Sequence, residues 1–168
     1  MNIYLITGKA GSGKNYLALE LAKRLDNAVV TGLSKYIKQF ALELKLWDGN
    51  DNNKPREFLQ NTGDLMRAVD INFLTKRMLE DIEIYKLLGI KNVIISDIRL
   101  INEIEYLRRS NYNTITIKII SKTSNRILSE SEKNHITETE LDNYDKFDYI
   151  IENNNNLEQE INKILKGR

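Results

Sequence analysis

A glycine-rich loop near the start of the chain has the residue types and spacing that hold nucleotide phosphates. It follows the apolar run at residues 3–6 and precedes leucines 17, 21 and 25, which have helical spacing. This order of strand, loop and helix is the context of a Walker A motif. Glycines let successive backbone amides turn inward, and the helix N-terminus adds positive potential. Lys14 would reach the β- and γ-phosphates of ATP, whereas the alternative is an ordinary glycine-rich turn. The residues predicted to bind ATP are Gly8, Lys9, Ala10, Gly11, Ser12, Gly13, Lys14, Asn15 and Tyr16.

Two residues are candidates for binding Mg²⁺ beside those phosphates. The Walker A motif normally ends in Ser or Thr, but this loop ends in Asn15, whose amide oxygen is also an acceptable ligand for a hard cation. Asp97 follows the apolar run at residues 93–95, where a Walker B carboxylate is expected to hold Mg²⁺ or its waters. Asp97 could instead cap a helix or lie in a loop. The pattern predicts Asn15 and Asp97 as the metal ligands.

A second set of residues could bind a phosphorylated acceptor opposite the loop. Arg99 lies just beyond the same strand, and its planar guanidinium can clamp a phosphate. Gln60 could form a hydrogen bond with a base. The alternative is that these side chains lie on solvated helix faces, since spacing alone does not separate the two cases. The candidates for acceptor binding are Lys35, Lys38, Arg56, Gln60, Arg67 and Arg99.

The polar segment at 122–143 contains further cations, including Arg126 and Lys133, and the single histidine, His135. Such a segment could close over a triphosphate and exclude water, and Arg126 would then offset charge on the transferred group. The alternative is a mobile charged loop. His135 has no cysteine or second histidine near it, so it is not expected to bind zinc.

Composition limits the classes of protein and partner. The chain has 168 residues, a formal net charge of +1 and no cysteine. This length suits one domain, and the charge balance favours neither nucleic acid nor an anionic membrane as a partner. No apolar run approaches the roughly 18 residues of a membrane span, and the start of the chain leaves no room for a signal peptide. We therefore expect a cytoplasmic protein. Its oligomeric state stays open, a homodimer included.

Apolar runs alternate with helical patterns, which predicts an α/β fold with a parallel sheet. Residues 47–63 are expected to form a polar loop that leads into a short helical piece, and the asparagine run 153–156 is expected to be a polar loop. A long helix is expected over 64–88, with Leu65 and Val69 near its inner side, and Ser34 is expected to cap the second helix. Strands are expected at residues 2–7, 28–31, 93–95, 114–120 and 147–151.

Several stretches together resemble the P-loop nucleoside monophosphate kinases, and among them the bacteriophage-type deoxynucleoside monophosphate kinases. Residues 8–15 are similar to that family's loop, which often has an acidic residue at the position of Asn15. Residues 55–60, with Gly63 and Arg67, resemble its acceptor-side segment. Residues 97–104 resemble its Asp-x-Arg-x-x-Asn-Glu signature, and residues 135–138 resemble its His-x-Ser-Glu stretch, with Thr137 in place of Ser.

The resemblance implies a P-loop kinase fold: a five-stranded parallel sheet flanked by helices, an acceptor-binding insertion at 32–67 and a lid at 122–143. It also implies transfer of the γ-phosphoryl group of ATP to a (deoxy)nucleoside monophosphate, with Mg²⁺. The catalytic candidates are then Lys14, Asp97, Arg99 and Arg126. Three alternatives remain: a kinase of the dephospho-coenzyme A type, a nucleotide-binding switch without kinase activity, and a nucleic-acid end kinase, which the near-neutral charge disfavours. The sequence does not predict the base or the sugar.

Overall fold

The computed structural model describes residues 1–121, 129–154 and 156–167, and these residues contain one five-stranded sheet. The strands are β1 (Asn2–Thr7), β2 (Ala28–Thr31), β3 (Asn92–Ile95), β4 (Asn113–Ile120) and β5 (Tyr149–Glu152). Their order across the sheet is β2-β3-β1-β4-β5, and every neighbouring pair is parallel. In the register of the two central pairs, Tyr4 of β1 lies opposite Ile94 of β3 and Ile115 of β4. The predicted α/β fold with five parallel strands is confirmed.

Helices cover both faces of the sheet. They are α1 (Lys14–Arg24), α2 (Lys35–Glu43), α3 (Arg56–Val69), α4 (Phe73–Leu87), α5 (Ile101–Arg108), α6 (Glu130–Asn134), α7 (Ile136–Thr139) and α8 (Leu157–Lys166). Successive side chains of a strand point to opposite faces, so Ile3 and Leu5 pack with α2, α4 and α5, whereas Tyr4 and Ile6 pack with α1 and α8. None of the helices in the described part of the chain is long and apolar enough to cross a membrane.

The predicted long helix over 64–88 is wrong, because the chain breaks between α3 and α4. Asp70 ends α3 in an extended conformation, and its carboxylate accepts a hydrogen bond from the Asn72 amide at 2.9 Å. Asp and Asn favour such local turns over continued helix. Leu65 and Val69, expected near the inner side, are 70% and 87% exposed. Residues 47–63 contain a polar loop followed by a helical piece, as expected, but that piece is not short. It is the start of α3, which begins at Arg56 after a 3₁₀ turn at Asp51–Asn53 and continues to Val69.

Parallel strands bring all their carboxyl ends to one edge of the sheet, where open α/β sheets bind ligands. The glycine-rich loop follows β1, Gly32 follows β2, residues 96–99 follow β3, and Asn153 follows β5. The predicted lid begins after β4, and its described part, residues 129–143, contains α6 and α7 and is called the lid segment below. The topology thus gathers most of the predicted site residues at this edge.

Candidate active site

Residues 8–15, called the phosphate loop below, form the tight turn after β1 and the first two residues of α1. Gly11 and Gly13 have φ angles of 80° and 97°, a region that residues with a Cβ rarely adopt. Lys14, the first residue of α1, is largely buried, and its ammonium donates to the carbonyls of Gly8 at 2.6 Å and Lys9 at 2.8 Å. The ammonium is therefore held back over the loop rather than extended into solvent.

A contact from the other end of the chain supports the phosphate loop. The Asn153 side-chain amide donates to the Ser12 carbonyl at 3.0 Å. The asparagine run was expected to be a polar loop, and its first residue has this additional role. Nothing in the run's composition distinguishes Asn153 from its neighbours, so this contact could not be predicted.

One cleft of about 680 Å³ joins the phosphate loop to the cationic residues of α2 and α3 and to the end of β3. Its size is within the usual range for small-molecule sites. The predicted site residues that line it are Ala10, Gly11, Gly13, Lys14, Asn15, Tyr16, Lys35, Lys38, Arg56, Gln60, Arg67, Asp97 and Arg99. Gly8, Lys9 and Ser12 line an adjoining cavity of about 190 Å³, which Arg99 also borders. Arg126 lies outside the described residues.

Asp97 caps the start of α2. Its carboxylate accepts hydrogen bonds from the Leu33 amide at 2.7 Å and the Ser34 amide at 3.0 Å, and the Ser34 hydroxyl donates to it at 2.5 Å. Ser34 occupies the predicted cap position, but its side chain makes no capping bond of its own and binds Asp97 instead. A Cβ at Gly32 would lie 2.6 Å from this carboxylate, so any larger residue there would displace the Asp97 side chain.

Asn15 and Asp97 suit Mg²⁺ that is bound together with phosphate oxygens and water. They do not form a site in which protein side chains alone would hold a metal. Mg²⁺ usually takes one or two carboxylates and completes its shell with phosphate oxygens and water. Among the described residues no group of three or more His, Cys, Asp or Glu side chains could hold a metal ion. Oδ1 of Asp97 accepts only one described hydrogen bond, so it retains a lone pair for a cation or its water. Asn15 and Asp97 line the same cleft.

Carboxylates lie beside several of the cations that the sequence predicts for acceptor binding. Lys35 contacts Asp81 at 2.5 Å, Arg67 contacts Asp64 at 2.7 Å, and Arg56 lies 3.7 Å from Glu132 of the lid segment. Burial opposes the charge on Lys35, but its hydrogen bonds with Asp81 and Tyr85 raise its pKa overall. Although burial disfavours the Asp64 carboxylate, hydrogen bonds from Arg67 and His135 lower its pKa. Lys35 and Asp64 are therefore charged at neutral pH.

The lid segment contacts the phosphate loop through Glu138. One carboxylate oxygen of Glu138 lies 2.7 Å from Nη1 of Arg99, and the other accepts from the Ala10 amide at 3.2 Å. The Lys9 ammonium donates to the Glu138 carbonyl at 2.5 Å and contacts the Asp142 carboxylate at 2.6 Å. The sequence analysis included Glu138 in the stretch 135–138 that resembles the kinase family, but it predicted no role for this residue. Asp64 and Asp142 were not recognised, since nothing local distinguishes them from surface carboxylates.

Glu103 is a buried acid beside the cleft. In the sequence it was noted only as part of the stretch 97–104 that resembles the Asp-x-Arg-x-x-Asn-Glu signature. Its carboxylate is 4% exposed and accepts from the backbone amides of Arg99 at 2.8 Å and Leu100 at 3.1 Å. Burial raises its pKa to about 7, although the two amides oppose the increase. Glu103 thus holds the backbone that presents Arg99.

Comparisons with known proteins agree with this architecture. The family model described as phosphomevalonate kinase matches residues 6–114, which is more than half of the chain. A crystal structure of shikimate kinase from Bacteroides thetaiotaomicron superposes with a TM-score of 0.51 at 16% identity, covering 99% of this chain and 96% of that one. At this identity the likeness concerns the fold alone. No curated protein matches the sequence significantly.

Proposed function

The chain belongs to the phosphomevalonate kinase family, and from this premise we propose that it transfers the γ-phosphoryl group of ATP to a small phosphorylated acceptor. As the acceptor we propose a (deoxy)nucleoside monophosphate, on the sequence motifs and on the lining of the cleft. One observation carries this proposal: a single cleft contains Lys14 of the phosphate loop together with arginines from separate elements. Arg56 and Arg67 come from α3, and Arg99 follows β3. A donor and an acceptor phosphate that face each other need such an arrangement.

The composition of the acceptor side supports a nucleotide. Apolar side chains of Leu33, Ile37, Leu59 and Leu74 line the same cleft as Gln60. A base has flat apolar faces and an edge of hydrogen-bonding groups, so an apolar wall with one amide suits it. The arginines would then hold the acceptor's phosphate.

The protein's part in such a reaction is alignment and charge neutralisation. Lys14 and the loop amides would hold the β- and γ-phosphates, with Asn15 and Asp97 on the cation side. Bound Mg²⁺ would supply neutralisation of the phosphate charge. The acceptor phosphate is itself a nucleophile near neutral pH, so no strong general base is needed. Arg99 would orient the acceptor phosphate, and Arg126 is proposed to meet the transferred group.

Phosphomevalonate is the second candidate acceptor, because the matching family model carries that description. It bears a carboxylate as well as a phosphate. Lys35, Lys38 and Lys54 line the cleft in addition to the arginines, and they could meet a second anionic group. Its aliphatic chain would pack against the apolar wall, but it has no base whose edge could form a hydrogen bond with Gln60.

A panel of acceptors separates these candidates. The purified protein is incubated with γ-labelled ATP and Mg²⁺ and with each of the nucleoside and deoxynucleoside monophosphates, phosphomevalonate and dephospho-coenzyme A. We expect the label on one or a few deoxynucleoside monophosphates. Label on phosphomevalonate alone would establish the second candidate. ATP binding without transfer to any acceptor would contradict the kinase proposal and favour a nucleotide-binding switch.

Lys14→Ala tests the donor site in the same assay. We expect turnover to fall by at least about a thousandfold, because the ammonium neutralises charge on the phosphates. Lys23→Ala is the matched control, since Lys23 lies on the same helix with its side chain 70% exposed. Circular dichroism should show both variants folded. Activity of Lys14→Ala near that of the control would remove the donor assignment.

A further inference from the structure

Arg99 is held by one arm of its guanidinium. Nη1 lies 2.7 Å from the Glu138 carboxylate, 3.4 Å from the Gly8 carbonyl and 3.5 Å from the Thr137 carbonyl. Within the described part of the chain, these are the hydrogen bonds and ion pairs of the side chain, and none involves Nε or Nη2. A guanidinium carries five N–H donors in a rigid fork. The anchored arm therefore fixes the plane of the fork, and its other donors remain available to a ligand in the cleft.

Glu138 of the lid segment is anchored to the phosphate loop. Its side chain is 8% exposed, and the carboxylate oxygen that does not face Arg99 accepts from the Ala10 amide at 3.2 Å. A carboxylate that bridges an amide and a guanidinium makes charge-assisted bonds with defined geometry. Glu138 thereby fixes the position of Arg99 relative to the loop that would hold the donor.

A second carboxylate holds Arg67 in a similar way. Asp64 contacts Arg67 Nη2 at 2.7 Å with one oxygen, and its other oxygen lies 3.0 Å from Nε2 of His135. The Thr137 amide donates to Nδ1 of His135 at 3.3 Å, so this network assigns the ring proton to Nε2, which donates to Asp64. His135 and Glu138 are three residues apart in the lid segment. One short stretch thus reaches both arginines.

We propose that residues 135–138 set the relative positions of the two arginines that hold phosphate groups, with Glu138 acting on Arg99 and His135 acting on Arg67 through Asp64. Glu138, His135 and Asp64 are positioning residues, since they act through the arginines. The inference rests on the proposed phosphoryl transfer and assigns the lid segment a task beyond covering the cleft. Removing the anchor of Arg99 leaves the arginine in place but lets its fork rotate, and this misalignment lowers the rate. Removing the anchor of Arg67 weakens its hold on the acceptor's phosphate, which raises the acceptor's KM.

Glu138→Gln tests the first half of the proposal. It preserves the shape and one acceptor oxygen but removes the charge that fixes Arg99. We expect kcat to fall by roughly tenfold or more, while the KM for ATP stays within about threefold. Glu130→Gln is the matched control, because Glu130 lies in the same lid segment, carries the same charge and pairs with Lys133. The control should leave kcat unchanged.

A double-mutant cycle separates positioning from a merely structural role. If Glu138 acts through Arg99, Glu138→Gln should have little further effect on kcat in an Arg99→Ala background. An equal fall in kcat in both backgrounds would overturn the proposal.

For the second half, His135→Ala should raise the acceptor's KM with little effect on the KM for ATP, because Arg67 lies on the acceptor side. Equal changes in both KM values would refute this half.

A spectroscopic measurement tests the anchors without any turnover. In ¹⁵N-arginine spectra of the full chain, Glu138→Gln should shift and broaden the guanidinium signal of Arg99 and spare that of Arg67, whereas His135→Ala should do the reverse. Unchanged arginine signals in both variants would overturn the positioning proposal even if the kinase is active. Failure of the wild-type protein to transfer phosphate, with these spectral changes present, would instead refute the proposed function.

Discussion

Replacing Glu103 by glutamine should stabilise the protein at alkaline pH. The carboxyl is 4% exposed, and its described hydrogen bonds come from two backbone amides, those of Arg99 and Leu100. Burial raises its pKa from 4.5 to about 7, and the amides offset only part of that effect. Glutamine is neutral at every pH and keeps a carbonyl oxygen that can accept from the same amides. The substitution therefore removes the buried charge and preserves the hydrogen bonds.

The size and sign of the effect follow from the two pKa values. Between pH 4.5 and about 7 the folded protein retains a proton on Glu103 that the unfolded chain releases. The free energy of unfolding therefore falls as the pH rises through this window, and the contribution of the neutral group is present in full only below it. At roughly 1.4 kcal/mol per pKa unit, the loss approaches about 3 kcal/mol.

Urea unfolding of the wild-type protein and Glu103→Gln from pH 5 to pH 8 measures this difference. The two proteins should be nearly equal at pH 5, and the variant should be more stable at pH 8 by up to about 3 kcal/mol. Glu105→Gln serves as the control, because Glu105 lies on the same helix with its side chain 40% exposed. A difference between Glu103→Gln and wild type that does not grow with pH would refute the reasoning.

Two further substitutions test other parts of the fold and site. Asp97→Ala should lower the free energy of unfolding by about 1–3 kcal/mol, because the amides at the start of α2 lose their acceptor. Asp97→Asn keeps an acceptor and should lose Mg²⁺-dependent activity with a smaller loss of stability; equal destabilisation by both would contradict the capping role. Met78→Ala should cost about 2–5 kcal/mol in urea unfolding, because Met78 is fully buried. Leu87→Ala, at a position 87% exposed, should change stability by less than about 0.5 kcal/mol, and a similar loss in both variants would contradict the assigned core.

The sheet and the phosphate loop could be predicted because their signals are local. The apolar run at 93–95 predicted a buried strand, and β3 spans Asn92–Ile95 with every residue buried. The glycines of the loop, followed by Lys14, predicted a strand-loop-helix unit, and the structure has β1, the loop and α1 in that order. These signals do not depend on which distant segment packs nearby, so one sequence is sufficient to read them.

The errors arose where local chemistry competed with periodicity. Leu65, Val69 and Phe73 continue a helical pattern, but Asp70 and Asn72 end one helix and precede the next. The pattern identified apolar residues without showing that the chain changes direction between them. Hydrophobic spacing is therefore weaker evidence than turn-forming residues where the two disagree.

The partners of the cations could not be predicted at all. Asp64 and His135 are 71 residues apart, and Lys9 and Asp142 are 133 apart. Such pairs exist only after the sheet brings the strand ends together, because no local pattern connects their segments. The sequence indicated which arginines could bind phosphate, but the carboxylates that orient them required the structure.

These carboxylates explain how a chain of net charge +1 can present so many cations in one cleft. Arg56, Arg67 and Arg99 each lie beside an acid, at 3.7, 2.7 and 2.7 Å respectively. An acid at this distance cancels most of the long-range field of its arginine. For Arg67 and Arg99 it leaves the remaining N–H donors of the fork available. A ligand is then selected by the match between its oxygens and oriented donors, and general attraction for polyanions is weak. Such a site discriminates through geometry at short range, which is the property that alignment of two phosphates requires.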